Sequence, residues 1–87
     1  MRVQINPHTL ERATERGATS EEIEDVIRTG TSVPARGNRQ AKEKVFDFRR
    51  QRQNVYYEQK KVQVIYVLQE EVAITVTVYV FYGKWGG

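Results

Sequence analysis

One stretch limits what this chain can fold into: VAITVTVYVFY at residues 72–82. Val72, Ile74, Val76, Val78 and Val80 fall on one side of an alternating pattern. Ala73, Thr75, Thr77, Tyr79 and Phe81 fall on the other. A period of two in β-branched and aromatic residues is a strand. The purely aliphatic set is expected to face a core. The mixed set is left to meet water, a ligand or a partner.

The 87 residues suit one domain, residues 1–87, with a modest core. A chain of this size buries roughly 60–65% of its unfolded surface. There is no cysteine and one histidine, which leaves no disulfide framework and a poor ligand set for zinc. No metal and no cofactor are expected. The start, MRVQIN, has no long apolar run, so no signal peptide is read there and a cytoplasmic location is expected. The strongest apolar stretch is short and broken by threonines, so no membrane partner is expected. The net charge of +3 is uneven. Residues 1–33 carry −2, residues 34–61 carry +6 and residues 62–87 carry −1. The positive segment is where a polyanion would be met.

Taken in order, Val3 and Ile5 read as a short edge strand. Asn6-Pro7 reads as a helix start, with Asn as N-cap and Pro tolerated where its missing N–H has no partner. That helix is expected to end at Gly17 in a left-handed cap. A second helix starts at Thr19, whose spacing to Glu22 is a capping box, and stops at Gly30. Pro34 confines any strand before it to an edge. A strand is expected from about Ala41 to Arg49, with Lys44, Phe46 and Phe48 on one face. Residues 50–54 read as a basic loop, and residues 55–58 read equally as strand or ordered loop. Residues 61–69 form the next strand, with Val62, Val64, Tyr66 and Leu68 on one face. Trp85 is expected to fold back as an apolar lid.

The turn between the last two strands allows two registers. A two-residue turn at Glu70-Glu71 pairs Val67 with Ile74 and puts Gln63 opposite Val78. A three-residue turn pairs Leu68 with Val72, Tyr66 with Ile74 and Val64 with Val76. The second joins the best apolar faces and is the one expected, although the turn lacks glycine.

Particular residues also resemble a known family. Ile5-Asn6-Pro7-His8 with Leu10, Glu15-Arg16-Gly17 and SEEIEDVI at residues 20–27 form one group. KKVQVIYV at residues 60–67 and TVTVYVFYGKW at residues 75–85 form another. Together they resemble the bacterial domain-of-unknown-function family 4258 across most of the chain. That layout, a helical hairpin followed by an antiparallel sheet, is similar to the RelE-like and barnase-like ribonuclease toxins. The resemblance implies RNA as a partner and a cognate antitoxin protein as another, by analogy of fold alone.

Three sets of residues could carry chemistry. His8, Arg12 and Arg16 lie four apart on the first helix. Metal-independent RNA cleavage needs an acid or base near neutrality, which His8 can supply, and cations on the phosphate, which the arginines can supply. The plainer reading is a solvated face opposite Leu10 and Ala13, with Glu11 and Glu15 as ion partners. The second set is basic: Arg36, Arg39, Lys42, Lys44, Arg49, Arg50, Arg52, Lys60 and Lys61, with Tyr56 and Tyr57 near. Cations for phosphates and aromatics for bases suit RNA. The plainer reading is a basic surface without a cognate partner. The third set is Thr75, Thr77, Tyr79 and Tyr82 with Lys84 and Trp85. Tyr82 could act as acid or phosphate donor, whereas tyrosines at the end of a small sheet usually form core with a polar tip.

The expected fold is α+β, with a helical hairpin at about residues 7–29 on one face of a three- to four-stranded antiparallel sheet at about residues 41–82. The leading functional expectation is a small toxin-like, RNA-directed domain, as a metal-independent ribonuclease using His8, Arg12, Arg16 and Tyr82. The alternative is a non-catalytic interaction domain, associating through its sheet face or edge, with a homodimer as one form.

Overall fold

Helix caps set the first half of the molecule. The structure, a computed structural model, describes residues 1–86. Asn6 accepts the His8 N–H on its side chain and opens helix α1, Pro7–Arg16. Gly17, at φ 94°, closes it in the left-handed conformation. Thr19 and Glu22 form the reciprocal capping box that opens helix α2, Ser20–Thr29. The strands are β1, Arg2–Gln4; β2, Thr31–Val33; β3, Arg39–Arg52; β4, Val55–Gln69; and β5, Val72–Gly83.

The fold is α+β, and its five strands lie in the order β1-β5-β4-β3-β2. This corrects the expected three or four antiparallel strands. The two short strands β1 and β2 complete the edges, and β1 runs parallel to β5. The segment expected as a loop at residues 50–54 is mostly strand. β3 runs to Arg52, and β4 starts at Val55 after a tight turn at Gln53 and Asn54, both at positive φ. β2 stops one residue before Pro34, as a donor-less residue requires.

Both helices lie on one face. α1 packs against β5, and α2 against β4 and β3. Ala13, Ala18, Ile23, Val26 and Ile27 from the helical half meet Val62, Val64, Tyr66, Ala73 and Val78 from the sheet. On α1 the buried positions are Thr9 and Ala13, while Leu10 is exposed, contrary to its expected place on the apolar side.

The expected alternation of β5 holds for only half of the strand. The turn at Glu70-Glu71 has two residues, so Gln69 pairs with Val72 and Val67 with Ile74. The register then shifts between Ile65 and Tyr66. Tyr66 faces Thr75 and Ile65 faces Thr77, which leaves Val76 as an extra residue. Before this bulge Ala73 and Thr75 are buried; after it Val78 is buried and Val80 packs on the core. This corrects the expected three-residue turn: its pairs Leu68–Val72, Tyr66–Ile74 and Val64–Val76 do not form, because the two-residue turn is kept and the bulge then brings Val64 opposite Val78 and Val62 opposite Val80. Thr75 is tolerated inside because its Oγ1 accepts the Asn6 N–H at 2.9 Å.

The turn itself is strained. Glu70 and Glu71 sit at φ 49° and 67°, a conformation that glycine and asparagine adopt more readily. Replacing Glu70-Glu71 by asparagine and glycine is expected to stabilise the protein by roughly 1–2 kcal/mol. Thermal denaturation checks this, and an unchanged or lower midpoint refutes it.

Candidate nucleic-acid interface

A helix leaves its last carbonyls without partners, and its C-terminus attracts cations. Here the sheet supplies them. At the end of α1, Arg52 Nη2 donates to Glu15 O at 3.0 Å, the Tyr82 hydroxyl to Arg16 O at 2.6 Å, and Lys60 Nζ to Gly17 O at 2.8 Å. Lys60 also meets Glu22 Oε1 at 2.8 Å. At the end of α2, Lys42 Nζ donates to Ile27 O at 3.0 Å. Lys44 Nζ meets Asp25 Oδ2 at 2.8 Å and Thr29 Oγ1 at 2.9 Å. Hydrogen bonds from Lys44 and Thr29 hold the Asp25 carboxyl below the usual aspartate value.

These contacts divide the basic set. Lys42, Lys44, Arg52 and Lys60 hold helix ends, and Lys60 is buried. Lys61 lies on the other face of the sheet, under the Trp85 ring at 4.9 Å and 3.9 Å from Glu43. Arg36, Arg39, Arg49 and Arg50 are exposed. They do not form one patch. Arg39 opens β3 and Arg49 lies near its far end, ten residues on, which is roughly 33 Å at strand rise.

The far end has the richer chemistry. β3 bulges between Asp47 and Arg50, with Arg49 at φ 49°. Around the bulge, the Tyr82 ring meets Phe48 at 5.1 Å and Tyr57 at 5.4 Å between centroids. The Arg50 guanidinium stacks over Phe48 at 4.8 Å, and that of Arg52 over Tyr82 at 4.9 Å. Arg49 reaches Asp47 only at 3.7 Å on an exposed surface. Tyr56 projects from the β3–β4 hairpin, 53% exposed. Burial raises the Tyr82 hydroxyl pKa, partly offset by Arg52, so Tyr82 is a neutral donor near pH 7.

The other expected site residues are spread along α1. His8 is exposed in the first turn, its backbone N–H held by Asn6 Oδ1. Arg12 is exposed, 3.7 Å from Glu15. Arg16 turns over the edge of β5, where Nη1 donates to Val78 O at 2.5 Å and the guanidinium lies 5.4 Å from the Tyr79 ring centroid. Eight residues of helix separate His8 from Arg16, about 12 Å. Thus Tyr82 meets only the Arg16 main chain, the Arg16 guanidinium lies at Val78, and His8 is apart from both. Trp85 folds back, its backbone N–H donating to Gln59 Oε1 at 2.6 Å, but its ring covers the Lys61 ammonium and is no apolar lid on the core. The stacking of Phe48 on Tyr82 was missed in the sequence, because a shared face within β3 says nothing about its partner on β5.

The described residues thus form a two-helix, five-stranded α+β domain whose sheet ends in arginines and aromatic rings. Comparison with protein-family models, curated proteins and solved structures finds no match. Among the described residues, no helix is long and apolar enough to cross a membrane.

Proposed function

We propose that this is an RNA-directed domain that grips single-stranded RNA at the β3–β4 hairpin end of its sheet. The observation that supports this reading is the stacking of Arg50 on Phe48 and of Arg52, which also holds the end of α1, on Tyr82 beside Tyr57, with Arg49 exposed at the bulge and Tyr56 exposed on the opposite face of the hairpin. Guanidinium groups bind phosphate oxygens in pairs, and aromatic faces stack bases without regard to sequence. The arginines at this end keep free N–H donors even where they stack.

The toxin-like ribonuclease is the narrower form of the proposal, and the geometry supports it less. Tyr82 spends its proton on the Arg16 carbonyl, and His8 stands a helix length away. An acid and a base acting on one phosphodiester must both be within hydrogen-bond reach of it. Cleavage would therefore rest on His8 and Arg12 alone.

The test is titration of labelled single-stranded RNA at several salt concentrations, with chelator present and the RNA run on a gel afterwards. Each phosphate contact adds about 0.7 to the slope of log affinity against log salt. Arg49→Gln/Arg50→Gln is expected to lower that slope by about 1.4. Tyr56→Ala is expected to weaken binding by about 1–3 kcal/mol per base unstacked. Absence of binding at low salt removes the RNA reading. Metal-independent cleavage that disappears in His8→Ala restores the ribonuclease.

A further inference from the structure

A sheet edge exposes a row of unpaired N–H and C=O groups, which invites another strand. The two edges here differ. On the β3 side, the length not covered by β2 carries Asp47, Arg49, Arg50 and Arg52 and is bent by a bulge. On the β5 side, β1 pairs only with residues 72–74. The rest, from Val76 to Tyr82, has no charge and no proline. The chain beyond it turns inward, since Trp85 bonds to Gln59 on β4. Beyond β1, the β5 edge is guarded only by the overhang of α1 and by the Arg16 guanidinium on the Val78 carbonyl.

Its hydrogen-bonding phase can be read. The Val78 carbonyl points out of the sheet, because Arg16 reaches it from outside. Alternate residues of a strand share this direction, so Val80 and Tyr82 also point their backbone groups outward. On the face away from the helices, Tyr79 and Phe81 flank this edge, 40% and 46% exposed. On the helix face, α1 overhangs it. His8, Arg12 and Arg16 recur every four residues along the side of α1 from which Arg16 reaches over the edge.

We propose that the β5 edge and the cationic side of α1 form a lane for an extended, acidic peptide strand contributed by another protein. The peptide takes the place of the Arg16 guanidinium at the Val78 carbonyl and pairs with Val78, Val80 and Tyr82. Its apolar side chains lie beside Tyr79 and Phe81, and the carboxylates between them face Arg12 and Arg16. Main-chain bonds then give affinity and the alternating side chains give specificity. A second copy of this chain is the poorer occupant. Edge-to-edge pairing would place two overhanging α1 helices within one strand spacing, about 4.8 Å, where packed helices need 8–10 Å. It would also set Arg12 and Arg16 against their own copies.

The test uses a blocked seven-residue peptide of alternating glutamate and valine, a lysine–valine counterpart, and amide hydrogen exchange. The acidic peptide is expected to bind and to slow exchange at the Val78, Val80 and Tyr82 N–H groups at least tenfold. Arg12→Glu is expected to weaken it roughly fivefold. Val80→Pro, which removes an outward N–H tolerated at an edge, is expected to abolish it. If Val80→Pro does not fold, Arg12→Glu still decides. No binding, equal binding of the lysine peptide, protection at other amides, or self-association that protects these same amides each overturns the proposal.

Discussion

Lys60→Ala is expected to lower the unfolding free energy by about 3 kcal/mol, read from urea denaturation. The Lys60 side chain is 6% exposed and that of its partner Glu22 is 21% exposed. Lys60 also fills the Gly17 carbonyl at the junction of the two helices. Its removal leaves a partly buried carboxylate with only the Thr19 N–H as partner, and an unfilled carbonyl beside it. Glu22→Gln is expected to do less, because a neutral amide still accepts from both Lys60 and Thr19. A loss under about 1 kcal/mol for Lys60→Ala would mean that water replaces the ammonium at this site.

Gly30→Ala is expected to destabilise by about 2–3 kcal/mol, although ordinary reasoning gives the opposite sign. Gly30 has φ −73°, which alanine adopts freely. A glycine-to-alanine change at such a position usually stabilises by about 0.4–1 kcal/mol through the unfolded chain. Here a Cβ would overlap the Val26 carbonyl and stand 2.8 Å from the Glu43 carbonyl on β3. Both are backbone atoms and cannot rotate away. Equilibrium denaturation of the variant therefore tests a sign, and a higher midpoint would show that α2 and β3 separate easily.

Local rules made part of this fold legible. Asn6-Pro7, the Thr19–Glu22 capping box and Gly17 act within a few residues, and the structure has all three. The strand pattern also holds for Val62, Val64 and Tyr66, which are buried, while Leu68, expected on the same face, is exposed. What escaped depends on contacts far apart in sequence. The extra residue at Val76 follows from a compromise between the Glu70-Glu71 turn and the core, and neither shows its strength in a string of letters. Gly30 looks like a helix stop, and the Glu43 carbonyl on β3 adds a pressure that the neighbouring Val26 carbonyl alone does not explain. In the candidate site, a run of basic residues between positions 36 and 61 looks like one patch. A long strand spreads it, and two helix ends claim Lys42, Lys44, Arg52 and Lys60. Composition gives the number of cations; only their surroundings decide which are left for a ligand.

The parallel pairing of β1 with β5 bears on when the fold can close. β1 occupies residues 2–4 and its partner residues 72–74. On a ribosome adding about 5–20 residues per second, the first strand waits roughly 4–14 s for the strand it joins. The β3–β4–β5 meander needs only neighbours, and short-range contacts of this kind form early. The sheet is therefore completed by the strand that is made before its other four.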